Sequence, residues 1–193
     1  MGEKLKEFDQ ITQADERWQN FGSVNKTTGT ITRSVLQDFY SSVERQTLHD
    51  GVPEDVQDHF LTARHLALYS WFVYRFAPVA QLQAFASLEF ALRARFAQET
   101  GRRPPGLGKL LDNAITAGLI IADRFSEFAA KAGELEGRAE RARAFIRSFR
   151  DYCQFFRNDL AHGSGTLIPG PFRDLQLVAD AINQLYPRPV ANR

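Results

Sequence analysis

The last third of the chain contains large apolar residues spaced as one face of an α-helix requires. They are Phe145, Phe149, Tyr152, Phe156 and Leu160, at intervals of four, three, four and four. Because an α-helix turns once in about 3.6 residues, these side chains form one stripe that must be buried. Gly163, Ser164 and Gly165 then form a stop signal. The pattern predicts one long helix beginning near Arg138, around which the other elements must pack.

The rest of the chain shows helical spacing and no alternating β-branched run. Pro53 and the acidic residues after it predict a helix that reaches about Phe76, and Pro78 is expected to end or kink it. Further helices are predicted over 33–48, 79–99, 107–119 and 173–186, with a short helix or turn over 122–133. The predicted fold class is therefore all-α, an up-down bundle of long antiparallel helices with short side helices.

Two regions are distinguished along the chain. Residues 53–193 are predicted to form the helical domain, and residues 1–52 an N-terminal extension that is partly helical. The stretch from Val24 to Thr30 has the composition of a turn, so its surroundings could be a short helix, a loose hairpin or an arm. The sequence leaves these alternatives open, together with the role of the extension.

Composition excludes several classes of protein. The net charge is +1, so any nucleic-acid site must be local. The single cysteine, Cys153, cannot form an internal disulfide and fits a buried thiol in a reducing compartment. No apolar run approaches the roughly 20 residues of a membrane span, and the first residues lack a signal-peptide pattern. We expect a cytoplasmic protein without a membrane partner, and the absence of zinc spacing or a phosphate loop predicts no metal or cofactor.

A polar cluster closes the long helix and carries the chemistry. Asn158 and His162 are four residues apart and share a face, with Arg157 beside them. A histidine can exchange a proton near neutral pH, and an arginine can orient a phosphate and neutralise its charge. RNA supplies its own nucleophile, the 2′-hydroxyl, so this set is sufficient for RNA cleavage. A purely structural interpretation, with Arg157 paired to Asp159 or Glu89 and His162 capping the helix, is equally open.

Glu89 occupies a position where the helical pattern expects an apolar residue. The rest of its stripe is Leu82, Phe85, Leu92 and Phe96. A carboxylate in such a place needs a partner, because burying an unpaired charge is costly. Arg93, one turn further along, could supply the partner, and so could the cluster of Arg157 and His162. Spacing alone does not choose between them.

Arginines precede the cluster on the same helix. Arg143, Arg150 and Arg157 follow at intervals of seven and lie nearly in line, with Arg147 beside them. Such a stripe could guide an RNA backbone by contacting its phosphates. The other interpretation is an ordinary solvated face. The acidic residues that would balance it are Glu134, Glu136 and Glu140.

The segment RNDLAHG, Arg157 to Gly163, resembles the signature of the HEPN superfamily (higher eukaryotes and prokaryotes nucleotide-binding). That signature is an arginine, most often followed by asparagine, with a histidine a few residues later. The stretch from Ala86 to Phe96 is similar to the first core helix of bacterial members, and Leu107 to Ile120 is similar to their short-helix segment. The resemblance covers about residues 60–187.

The resemblance implies a bundle that forms a homodimer, with one composite site built from both protomers. Arg157 and His162 would be the catalytic pair, with Asn158 beside them and Glu89 and Asp159 supporting. Many members are metal-independent endoribonucleases of toxin–antitoxin and defence systems, which makes RNA the expected substrate and an antitoxin protein a further expected partner. Other members keep the fold and bind nucleotide, RNA or a partner protein without cleavage, and this is the alternative function.

Overall fold

The structure, a computed structural model, describes residues 4–24, 27–131, 137–161 and 171–188. Within them the helices are α1 (Leu36–Glu44), α2 (Glu54–Tyr69), α3 (Phe76–Thr100), α4 (Leu107–Thr116), α5 (Ser126–Ala129), α6 (Arg138–Ala161) and α7 (Phe172–Leu185). Short 3₁₀ helices lie at Phe8–Gln10, Glu16–Asn20 and Ala122–Arg124. The prediction of an all-α bundle is confirmed. In the described part of the chain, no helix combines the length and apolarity that a membrane span needs.

A small hairpin precedes the helices. Strand β1 (Gly22–Val24) pairs with strand β2 (Ile31–Arg33) in antiparallel register, with Ser23 opposite Thr32. The hairpin is one of the three alternatives that the turn-like stretch from Val24 to Thr30 allowed.

The junction between α2 and α3 differs from the expectation. Helix α2 ends at Tyr69, several residues earlier than predicted, and Pro78 lies in the first turn of α3 instead of ending α2. The missing N–H of the proline costs nothing there, because the first N–H groups of a helix have no partner within the helix. At the other end, Gly101 closes α3 with a φ of 64°, a conformation that favours glycine.

Helix α3 is the central element of the core. The His59 ring of α2 lies 3.0 Å from the Ser87 hydroxyl and stacks on Phe90, contacts that fit two antiparallel helices joined by a short turn. Helix α7 runs along α3 in the same direction. Its first turn meets the beginning of α3, and the Tyr186 hydroxyl just after its end donates to the carbonyl of Ala91 at 3.1 Å. Fully buried alanines on α3, such as Ala84, allow these helices to approach closely.

The apolar stripe of α6 faces this core, as the spacing predicts. Phe149 and Cys153 are buried, while Phe145, Tyr152 and Phe156 pack against the core from its edge. Burial raises the pKa of the Cys153 thiol, which keeps it protonated. The side chain of Leu160, the last member of the predicted stripe, lies outside the described part of the structure.

A buried carboxylate joins three helices. Asp174 of α7 is 3% exposed, and it accepts hydrogen bonds from the Tyr152 hydroxyl of α6 at 2.7 Å and from the Gln81 amide of α3 at 2.6 Å. Burial raises the pKa of Asp174 above the usual range, against the opposing effect of these donors. The network thus connects α3, α6 and α7 through one side chain.

The N-terminal residues pack against the bundle through a second aromatic cluster. Trp18, Phe39 and Tyr74 are buried together, and the Trp18 indole donates to the carbonyl of Ser70 at 2.7 Å. Val43 and Val52 also join the main core. The division into residues 1–52 and 53–193 remains a prediction.

Asp15 fastens this N-terminal segment, and we expect Asp15→Asn to lower the free energy of unfolding by about 1–3 kcal/mol. Its carboxylate accepts the backbone N–H of Tyr74 at 2.9 Å and the Nε–H of Arg17 at 2.9 Å. Burial acts to raise the pKa of Asp15, but the bonds from Arg17 and Tyr74 outweigh it and the net pKa is lowered. An asparagine would turn an NH₂ group toward one of these donors.

The carboxylate of Asp15 should stabilise the fold fully at pH values above the pKa that Asp15 has in the unfolded chain, about 3.9. This stabilisation should be lost as the pH falls through the pKa of Asp15 in the folded protein, which is lower. Urea unfolding at pH 7 and pH 3 measures this, with Asp9→Asn as the matched control because Asp9 is exposed. A difference between wild type and Asp15→Asn that persists unchanged at pH 3 would contradict the assigned role.

Candidate functional site

A polar groove runs between α3, the beginning of α4 and the second half of α6, with a volume of about 530 Å³. We call it the α3–α4–α6 groove. Its lining residues are Glu89, Arg93, Gly106, Leu107, Gly108, Lys109, Arg150, Gln154, Arg157 and Asn158. Four of the predicted site residues, Glu89, Arg150, Arg157 and Asn158, therefore meet in one place.

Glu89 holds two arginines at once. One carboxylate oxygen lies 3.2 Å from Nε of Arg93, and the other lies 3.1 Å from Nε of Arg157. The two partners that the sequence left as alternatives are both present. The Glu89 side chain is only 14% exposed, so this carboxylate forms the floor of the groove and connects α3 to α6.

Arg157 reaches the groove because of the apolar stripe beneath it. Phe156, the residue before it, packs on Tyr152 with ring centroids 4.3 Å apart and on Phe85 of α3. The next residue of a helix is turned by about 100°, which carries Arg157 from the core to the groove edge. Its side chain remains 40% exposed, so a ligand in the groove can reach the guanidinium while Glu89 orients it.

The first turn of α4 forms the opposite wall. Gly106 precedes α4, no side chain caps it, and the first N–H groups of the helix have no acceptor within it. A β-carbon at Gly108 would lie 3.2 Å from the side-chain oxygen of the exposed Gln154, which shows that α4 and α6 lie close together here. Lys109 is exposed and makes no ion pair with a described residue.

The groove carries more positive than negative charge. Its lining has four cationic side chains, Arg93, Lys109, Arg150 and Arg157, and one carboxylate. Arg150 is also paired outside the lining with Asp112 at 3.0 Å, and its hydrogen bonds lower the pKa of Asp112. Arg150 also pairs with Asp151 at 3.1 Å, so of the four cations only Lys109 makes no ion pair with a described residue, and the small positive excess that remains suits a phosphate-bearing ligand.

The arginine stripe divides at this groove. Arg150 lines it, whereas Arg143 and Arg147 are exposed earlier on α6 and make no ion pair with a described residue. Glu140 is likewise exposed, and Glu134 and Glu136 lie outside the described residues. RNA contact along Arg143 and Arg147 stays a prediction.

The remaining members of the polar cluster lie at the end of α6. Asn158 is exposed and borders both the groove and a shallow neighbouring depression, which Asp159 lines together with Asp151, Gln154 and Phe155. His162 follows the last residue of α6 and lies outside the described residues. The structure therefore places Arg157, Asn158 and Glu89 together, and Asp159 beside them.

Two groove residues, Lys109 and Gln154, were missed by reasoning from the sequence. Lys109 could have been found from the sequence, because Pro104, Pro105 and Gly106 predict the start of a helix with this lysine in its first turn. Gln154 carries no comparable signal, since an exposed glutamine on a helix has no distinctive spacing.

Two of the other histidines, His49 and His59, make hydrogen bonds within the fold. His49 accepts the backbone N–H of Gly51 at 3.1 Å and its other ring nitrogen lies 3.0 Å from the carbonyl of Asn183, while His59 contacts Gln83 and Ser87. Across the described ranges, no group of three or more His, Cys, Asp or Glu residues could hold a metal ion.

No family model matches this chain, and no curated protein or solved structure matches it. Its function is therefore inferred from the residues of the groove and from the sequence motif that borders it.

Proposed function

We propose that this protein is a metal-independent endoribonuclease of the HEPN type. The observation that carries the proposal is the ion pair of Glu89 and Arg157 at the edge of a groove with excess positive charge. It presents a fixed but partly exposed guanidinium, the group best suited to bidentate recognition of a phosphate. The motif histidine, His162, follows Arg157 by five residues.

The chemistry follows from these groups. A base removes the proton from the ribose 2′-hydroxyl, and the resulting oxygen attacks the adjacent phosphorus. The bond from phosphorus to the 5′-oxygen breaks, this oxygen receives a proton, and a cyclic phosphate remains, which water can open to a 3′-phosphate. His162 exchanges the proton, and Arg157 stabilises the negative charge that builds on the phosphate oxygens. Asn158 holds a phosphate oxygen or the histidine.

The proposal includes a homodimer and a cytoplasmic role as a toxin or defence component, with an antitoxin protein as a further partner. One feature of α6 supports a second copy of the chain on this face. Phe155 is 64% exposed and lines the depression beside Asn158. Because Phe155 is exposed and lies beside the polar cluster at the end of α6, it offers an apolar contact to a helix of the second copy.

We expect the wild type to cleave single-stranded RNA in excess EDTA, and His162→Ala to lose about 100-fold or more of that rate. Gel analysis of end-labelled RNA measures the rate, and treatment with phosphatase and kinase identifies a cyclic phosphate or 3′-phosphate end. His65→Ala is the matched control, because His65 lies on α2 and lines no part of the groove.

An equal and EDTA-sensitive activity in wild type and His162→Ala would reject the proposal. A stable complex with RNA or a partner protein without cleavage would instead support the alternative of a non-catalytic HEPN-like module that binds nucleotide, RNA or protein. The pairing of Arg157 with Glu89 fits that alternative too, because it also strengthens the contact of α3 with α6.

A further inference from the structure

Two polar side chains of the α3–α4–α6 groove have no part in the proposed cleavage chemistry. Lys109, in the first turn of α4, is exposed and makes no ion pair or hydrogen bond with a described residue. Gln154 of α6 is exposed as well, and its amide makes no hydrogen bond within the described ranges. Both side chains line the groove, so their hydrogen-bonding groups are available to a ligand there.

The Gln154 amide lies over the turn of α4 that carries Lys109. A β-carbon on Gly108 would be 3.2 Å from the Gln154 side-chain oxygen and 3.4 Å from its nitrogen. Lys109 is the next residue of this turn and lines the same groove. The two walls therefore offer an ammonium group and an amide N–H, two donors that one phosphate can accept together.

Lys109 differs from the other cations of the groove in its charge balance. Arg93 and Arg157 share the carboxylate of Glu89, at 3.2 Å and 3.1 Å. Arg150 is paired with two aspartates outside the groove lining, at 3.0 Å and 3.1 Å. The unbalanced positive charge of the groove is therefore located on α4, and not at the ion pair that joins α3 to α6.

We infer that Lys109 and Gln154 form a second phosphate subsite, which binds the phosphate next to the one that is cleaved. The inference rests on the proposed cleavage, in which Arg157 holds the scissile phosphate from α6. Arg157 and Lys109 contact no common acid, and a groove of about 530 Å³ has room for more than one phosphate. The preferred substrate is therefore an RNA strand with at least two consecutive phosphodiesters, and a dinucleotide is a poor substrate.

A strand with one cleavable bond tests this subsite. It consists of 2′-O-methyl nucleotides with a single ribonucleotide, so only one 2′-hydroxyl can attack. The phosphate on either side of the scissile one is replaced in turn by a neutral methylphosphonate. For the wild type we expect a KM about tenfold higher when the neutral group is on one of the two sides, with kcat within about twofold. Lys109→Ala should show that higher KM on the fully charged strand and should not respond to the neutral group.

Binding of a fully 2′-O-methyl strand, which cannot be cleaved, gives a second readout that is independent of cleavage. Lys109→Ala should bind it about tenfold more weakly. The slope of log affinity against log salt should fall by about 0.7, the value for one phosphate contact with a single strand. Lys109→Arg should keep the wild-type slope. Gln154→Ala should bind about threefold more weakly with an unchanged slope, because it removes no charge.

Lys4→Ala is the matched control, since Lys4 is exposed and does not line the groove. Two results would overturn the inference. One is wild-type binding of the uncleavable strand by Lys109→Ala, with the same salt slope. The other is an equal response of the wild type and Lys109→Ala to the methylphosphonate, which would assign that phosphate to another residue. A wild type that binds RNA without cleaving it, with the slope lowered in Lys109→Ala, would reject the ribonuclease and keep the phosphate subsite.

Discussion

Replacing Arg157 by alanine is expected to lower the rate of RNA cleavage by about 100- to 1,000-fold while leaving the thermal unfolding of the protein nearly unchanged. The magnitude is that of removing one charged group that stabilises the transition state. The fold should tolerate the change because the side chain is 40% exposed and its contribution to stability is a partly solvated ion pair. Single-turnover cleavage and a thermal melt measure the two effects.

Arg157→Lys separates charge from geometry. A lysine keeps the positive charge, but it lacks the planar fork that can bind Glu89 and a phosphate at the same time. We expect Arg157→Lys to recover only a small part of the lost rate. Arg45→Ala is the matched control, because Arg45 is an exposed arginine that does not line the α3–α4–α6 groove. Full activity in Arg157→Ala would show that the ion pair with Glu89 serves the fold alone.

Phe85→Ala is expected to lower the free energy of unfolding by about 3–5 kcal/mol, the usual cost of removing a fully buried phenylalanine. Phe85 is entirely buried on α3, where its ring lies 5.9 Å from that of Tyr152 and 6.4 Å from that of Phe156. Its loss leaves a cavity between α3 and α6. Urea denaturation monitored by circular dichroism measures the change.

The cavity left by Phe85→Ala should also disturb the α3–α4–α6 groove. Glu89 follows Phe85 by one turn of α3, so a looser contact of α3 with α6 weakens its hold on Arg157. Phe8→Ala is the matched control, because it removes the same side chain from a position that is 91% exposed and should change the unfolding energy by less than about 1 kcal/mol. Similar losses in Phe85→Ala and Phe8→Ala would contradict this account of the core.

Features that depend on local spacing were predictable from the sequence. The stripe of α6 is set by residues three and four apart, and the structure buries Phe149 and Cys153 as expected. The helix that begins after Pro53 follows from local chemistry in the same way. Such features need no knowledge of what the helix packs against.

Features that depend on distant partners were not predictable. Glu89 and Arg157 are 68 residues apart, and only the approach of α3 to α6 shows that Glu89 binds Arg157 and Arg93 together. Trp18 finds its acceptor, the carbonyl of Ser70, 52 residues away. The prediction that Pro78 ends or kinks α2 is wrong, because a proline that follows a helix and one in the first turn of the next helix look alike in the local sequence.

The buried carboxylate of Asp174, which joins α3, α6 and α7, fixes the direction in which α6 presents its polar residues. Tyr152 donates to Asp174 on the inner side of α6, and Arg157 follows five residues later on the same rigid helix. A helix anchored through one hydroxyl cannot rotate about its long axis without breaking that bond in a buried place. The direction in which Arg157 points from α6 is therefore set by Asp174, a buried acid that does not line the groove.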